Sequence, residues 1–132
     1  MKEEPTLLEV FTESSGRGEL PGQEEFLPSK YWLDMRGAPA ESSRTAEGWQ
    51  RNSRWFWREM LDLHPELFCE DNKEYIRVGL SPIVDERWLK HHPGQELFEG
   101  DFLIHHHVDR GPMAAGIPRR FHQIFHGPLH YD

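Results

Sequence analysis

A chain of 132 residues with 36% apolar side chains, five Trp and eight Phe has the material for one small hydrophobic core and is too short for a second folded domain. Its net charge of -8 opposes a simple electrostatic nucleic-acid binder, and its single cysteine, Cys69, excludes an intramolecular disulfide and a Cys-rich zinc site. No apolar run approaches the ~18 residues needed to span a bilayer, and the start MKEEPTLLEV is too acidic for a secretory signal.

Residues 1–29 mix Gly, Ser, Pro and Glu with few large apolar side chains, which predicts an acidic, linker-like segment; the structured domain is expected over 30–132, opening near Tyr31. Asn52-Ser53 offers an N-cap for a helix through RWFWREMLDL, with Phe56, Met60 and Leu63 on one face and His64-Pro65 as its stop. Trp55, Phe56 and Trp57 read as core packing rather than base stacking. Glu74 to Val78 predicts a short strand ending at Gly79. Ser81-Pro82, with Asp85 and Glu86 behind it, predicts the start of a helix through Trp88 and Leu89. His91-His92 closes that helix, where two cationic imidazoles would suit the dipole.

Six of the nine histidines lie in the last 28 residues. FLIHHHV is expected as a strand, which puts His105 and His107 on one face and His106 on the other. Asp109 to Pro112 predicts a turn, Met113 to Gly116 a short return strand, and Ile117-Pro118 the start of a helix with Pro at its first position. On that helix His122 and His126 stand one turn apart, the spacing by which a helix offers two imidazoles to one ion. A triplet and an i, i+4 pair within so short a stretch favour a metal site over isolated polar histidines.

Strand, turn, strand and helix with histidines at both ends is the layout of a ββα-metal finger, here over about residues 100–132. The segment resembles the HNH/endonuclease VII superfamily and looks most like the bacterial polymorphic-toxin nuclease modules with a Leu-His-His or Trp-His-His signature. The residues that carry the likeness are His106-His107-Val108, Gly111-Pro112-Met113-Ala114, His122 and Leu129-His130. His122 and His126 also match the His-x-x-x-His helix of the nuclease colicins, while His105 is extra to the signature and leaves the register open by one residue.

The fold expected is α+β, a small single domain with helices packed around this C-terminal finger. The resemblance implies a metal-dependent endonuclease with His107 as general base and one divalent ion, Zn, Ni, Mn or Mg, held by His106, His122 and either His126 or His130. His105 is an additional site residue beside them, and Arg119 and Arg120, in the first turn of the finger helix, are placed to bind phosphate. The implied substrate is nucleic acid, DNA favoured, cut with low sequence specificity. The implied setting is the C-terminal toxin domain of a secreted bacterial effector, acting in the target-cell cytoplasm and countered by a cognate immunity protein; a chain ending two residues after His130 fits that setting. A zinc peptidase would need Glu after the first helix His, and this chain has Gln123. The stronger rival is a non-enzymatic, metal-stabilised binding module with every coordination position filled by protein.

Overall fold

The structure, a computed structural model, describes residues 21–40 and 43–124. It is a mixed α+β domain built from helix α1 (Pro21–Phe26), strand β1 (Leu33–Asp34), helices α2 (Ser53–Leu63), α3 (Glu70–Arg77) and α4 (Glu86–His91), then strands β2 (Leu103–His107) and β3 (Met113–Pro118) and helix α5 (Arg119–Ile124). The strands form one antiparallel sheet in the order β1-β3-β2, with His106 opposite Ala115 and His107 opposite Ala114.

Helix α2 follows its sequence signals closely. Asn52 caps it by accepting from the Trp55 amide at 3.0 Å, Phe56, Trp57 and Met60 are buried while Leu63, expected on the same face, is 57% exposed in the last turn, and His64 ends it just before Pro65. Its aromatic residues build the core, as their composition suggests: Trp57 meets Phe68 and Trp88 edge to face, 6.3 and 6.0 Å between centroids.

The segment expected as a strand over Glu74 to Val78 is instead the second half of α3. Tyr75, Ile76 and Val78 carry strand propensity, but the cap wins. Glu70 and Asp71 occupy the first turn, Arg77 the last, and the four-residue step from Asn72 to Ile76 puts two side chains on one buried face. Gly79, at φ +88°, ends the helix, with the Leu80 amide closing back onto Tyr75 O at 2.8 Å. Asn72 then acts as a strand neighbour would, pairing with both the N–H and the C=O of Ile83 at 2.9 and 2.8 Å. Asp85, not Ser81, caps the next helix, accepting from the Trp88 amide at 2.9 Å, so α4 starts later than Ser81-Pro82 suggests.

The sheet has a core on each face. Ala114 and Leu103 join Phe56, Trp57, Met60, Phe68 and Trp88 on one side, and Ala115 and Ile117 join Phe26, Leu27 and Phe121 on the other. Phe26 lies 4.3 Å from Phe121, ring to ring. Packing therefore extends N-terminal of Tyr31 into a stretch that composition alone describes as linker-like.

Gly116 is where sheet and helices meet most closely: a Cβ there would fall 2.8 Å from the Trp57 ring and 2.9 Å from the Trp88 ring. Beside it Gln95, fully buried, accepts from Trp88 Nε1 at 2.8 Å and donates to Phe26 O and Gly116 O at 2.7 and 3.1 Å.

The expectation of two cationic histidines at the end of α4 is corrected at His92. The chain turns back through Pro93–Phe98 and leaves His92 only 2% exposed. Its ring stacks on Trp88 at 3.8 Å and 3°, with Nδ1 3.2 Å from Trp88 O. Burial pushes its pKa down to about 3, so it is a neutral core residue at neutral pH.

Two outcomes are expected. Gln95→Ala strands an indole N–H and two carbonyls and should lower unfolding free energy by roughly 3 kcal/mol in urea titrations; a loss below about 1 kcal/mol would show those groups finding other partners. Because the folded His92 resists protonation, its effect on stability is absent above its unfolded value of 6.5 and grows as pH falls from there, levelling off only near 3. The slope reaches up to ~1.4 kcal/mol per pH unit. His92→Phe should flatten the fall in stability between about pH 7 and about pH 5, and equal slopes in both proteins would reject the assignment.

Candidate active site

Strand β2 delivers the triplet to two environments. His106, 7% exposed, points to the α5 side, where its ring lies 5.9 Å from that of His122 at 65°. His105 and His107 share the other face, 5.6 Å apart and edge to face. The alternation expected from sequence is therefore what the strand does. His105 stacks on Phe56 at 5.4 Å, and burial, followed by the nearby His107 and Arg51 charges, pushes its pKa down to about 4. It is a packed, neutral neighbour of His107.

Both ring nitrogens of His107 lie against backbone carbonyls, and whichever carries the proton donates to its neighbour. Nδ1 lies 3.0 Å from Gly111 O, and Nε2 lies 3.2 Å from Gln50 O. The first contact comes from the corner between β2 and β3. Asp109 and Arg110 there both adopt left-handed φ, 52° and 62°, unusual for side chains other than Gly. The corner is braced from a distant stretch of chain: Glu47 pairs with Arg110 at 2.8 Å, Trp49 Nε1 donates to Arg110 O at 3.1 Å, and the Met35 amide donates to Pro112 O at 2.8 Å. Sequence spacing marks the turn at Asp109 to Pro112, but the bracing residues lie about sixty to about eighty positions upstream, where no local pattern points to them.

Helix α5, which carries His122, begins at Arg119 rather than Pro118, because Pro118 is still paired with Leu103 in the sheet. Its first turn is fixed by Asp101, a residue that no local sequence pattern singles out. The buried Asp101 carboxylate accepts from the Arg120 amide at 2.6 Å and from the Phe102 amide at 2.9 Å. Arg120 Nε also lies 3.7 Å from it. Arg119 and Arg120 are both exposed, with guanidinium groups 5.6 Å over Phe102 and 5.9 Å over Phe98.

The ring separation of His106 and His122 suits two imidazoles that reach one ion from opposite sides, since each Zn–N bond is about 2 Å. Among the described residues no group of three or more His, Cys, Asp or Glu able to hold an ion occurs. His126 and His130 lie outside the described residues.

An antiparallel hairpin followed by a helix, with imidazoles facing each other across strand and helix, defines a histidine-bearing ββα finger, a class found in nucleases. Residues 29–131 match the model of the HNH/Endo VII superfamily nuclease toxins with an HHH motif, and the chain belongs to that family. The matched span includes His105-His106-His107, all of the sheet and α5. No curated protein and no solved structure matches the chain. Membership makes this a nuclease-toxin domain of hydrolase type, in a superfamily whose members typically use a divalent metal. Among the described residues no helix is long and apolar enough to cross a membrane.

Since Asp101 fixes the first turn of the helix that carries His122, Asp101→Ala should cost about 1 to 2 kcal/mol in thermal or urea unfolding. Asp101→Asn, which keeps an acceptor, should recover much of it. Equal losses in the two variants would mean that the charge, not the cap, matters.

Proposed function

We propose that this domain is a metal-dependent endonuclease that hydrolyses phosphodiester bonds of nucleic acid, DNA favoured, as the C-terminal toxin domain of a secreted effector. The observation that carries the reading is the division of labour along β2: His106 faces His122 across the hairpin and helix, while His107 sits on the opposite face with both ring nitrogens next to backbone carbonyls. His106 and His122 are the ligands offered by the described residues, with His126 or His130 completing the set.

His107 is the general base. With Nδ1–H donating to Gly111 O, Nε2 carries the lone pair, and Gln50 O, itself an acceptor 3.2 Å away, must move aside for a water to reach it. Nε2 takes a proton from the attacking water as the water oxygen bonds to phosphorus, the bond to the leaving oxygen breaks, and that oxygen is protonated from solvent. On its return to Nε2, Gln50 O accepts a hydrogen bond from the imidazolium that forms. A bound divalent ion supplies charge stabilisation for the phosphate and the leaving oxygen. Zn, Ni and Mn suit imidazole ligands, and Mg is the fourth candidate. Arg119, and Arg120 to the extent that Asp101 leaves it free, bind backbone phosphates beside α5. In that setting the domain acts in the target-cell cytoplasm and a cognate immunity protein neutralises it.

Purified protein incubated with plasmid DNA, single-stranded DNA and total RNA, with each metal and with EDTA, tests this reading. Metal-dependent cleavage is expected, reduced about 10²- to 10⁴-fold in His107→Ala, with metal binding weakened in His106→Ala and His122→Ala. Tight metal binding with no cleavage of any polymer would instead make the domain a metal-stabilised binding module.

A further inference from the structure

Next to the His107 face lies a recess of about 370 Å³ that the mechanism above does not use. Its walls include Arg36, Arg44, Trp49 and Gln50, with Met35 and Ala38 as apolar lining. Gln50 joins it to the site, since the same residue's carbonyl faces His107 Nε2.

Its polar walls are held in place. Arg36 binds Asp34 through Nε and Nη2, at 3.0 and 2.7 Å, which leaves Nη1 uncommitted among the described residues. With the Gln50 amide turned toward it, Arg44 donates from Nε and Nη2 to the Gln50 side-chain oxygen at 2.9 and 3.2 Å, again leaving Nη1. The half-buried Trp49 indole is fixed by its Nε1 bond to Arg110 O. Two guanidinium groups anchored along one edge, beside an anchored indole, form a rigid combination of phosphate donors and a stacking face.

Charge points the same way. The chain is acidic overall, yet residues 36–58 hold Arg36, Arg44, Arg51, Arg54 and Arg58 against Glu41 and Glu47. Near His107 that charge comes from Arg51, which lies close enough to His105 to act on it, and from Arg44, bonded to Gln50, while Arg36 is paired with Asp34.

We infer that this recess is a subsite for one unpaired nucleotide of the substrate, its base stacked on Trp49 and its phosphate bound by Arg36 and Arg44. The inference rests on the nuclease reading for its setting, not for its chemistry. Inside a duplex both faces of a base are covered by its neighbours, so only a single-stranded or splayed nucleotide offers a face to Trp49. The subsite therefore gives the domain a preference for unpaired strands next to the cleavage position.

Fluorescence anisotropy of labelled single-stranded DNA, single-stranded RNA and duplex DNA of equal length, in EDTA so that the strands stay intact, is the test. Arg44→Gln and Trp49→Leu should each weaken single-strand binding about tenfold and duplex binding less than about twofold. The dependence of single-strand affinity on salt should also fall by about one phosphate contact in Arg44→Gln. If Trp49→Leu loses its far-ultraviolet dichroism, Arg44→Gln, at an exposed position, decides alone. Single strands bound equally by wild type and Arg44→Gln, or not bound by wild type, overturn the subsite, and cleavage by wild type would then leave the nuclease reading standing. Binding that is weakened in Arg44→Gln without cleavage in any metal keeps the subsite and removes the nuclease.

Discussion

The arrangement depends on one buried amide. Gln95 joins Trp88 of α4, the end of α1 and strand β3 through three hydrogen bonds, in a position with no access to water. Without it, the indole that packs over Gly116 would have no acceptor and β3 would carry a buried, unpaired carbonyl. The same bonds fix how close the sheet comes to the helical layer, and Gly116 is the position where that distance reaches its limit. The placement of β2, and with it the triplet, follows from β3 because the two strands are paired from Leu103 to His107.

Much of this is legible in the sequence, and the boundary is physical. The helix over RWFWREMLDL, the FLIHHHV strand, its return strand and the two faces of the triplet depend on caps, periodicity and turns a few residues apart, and all appear as expected. Glu74 to Val78 misleads because its β-branched and aromatic residues suggest a strand, whereas the deciding contacts, Asn72 with Ile83 and Cys69 with Asp85 at 2.8 Å, join residues 11 and 16 apart. His92 misleads because dipole reasoning assumes an exposed helix end. The chain following Pro93 buries that end, and burial outweighs the dipole.

At the candidate site, sequence marks the histidines and misses the residues that hold them in place. His106 and His122 face each other and His107 turns away, as alternation and the helix require. Asp101, Glu47, Trp49 and Gln50 leave no such trace, since each acts on a partner from about 19 to about 63 residues away. Net charge misleads in a similar way. A total of -8 describes the chain but not the surroundings of His105 and His107, where Arg44 and Arg51 lie.

The left-handed corner has a consequence for how the domain assembles. Asp109 and Arg110 hold conformations that cost each of them roughly 1 to 2 kcal/mol in an isolated hairpin. The bonds that offset the cost come from Glu47, Trp49 and Met35. The hairpin is therefore not an autonomous folding unit: left to itself it would relax to another turn and carry Gly111 O away from His107. Its geometry is completed by contacts between distant parts of the chain, the kind that folding makes at the greatest entropic cost. A partly folded copy of this domain would contain all its histidines and no aligned site.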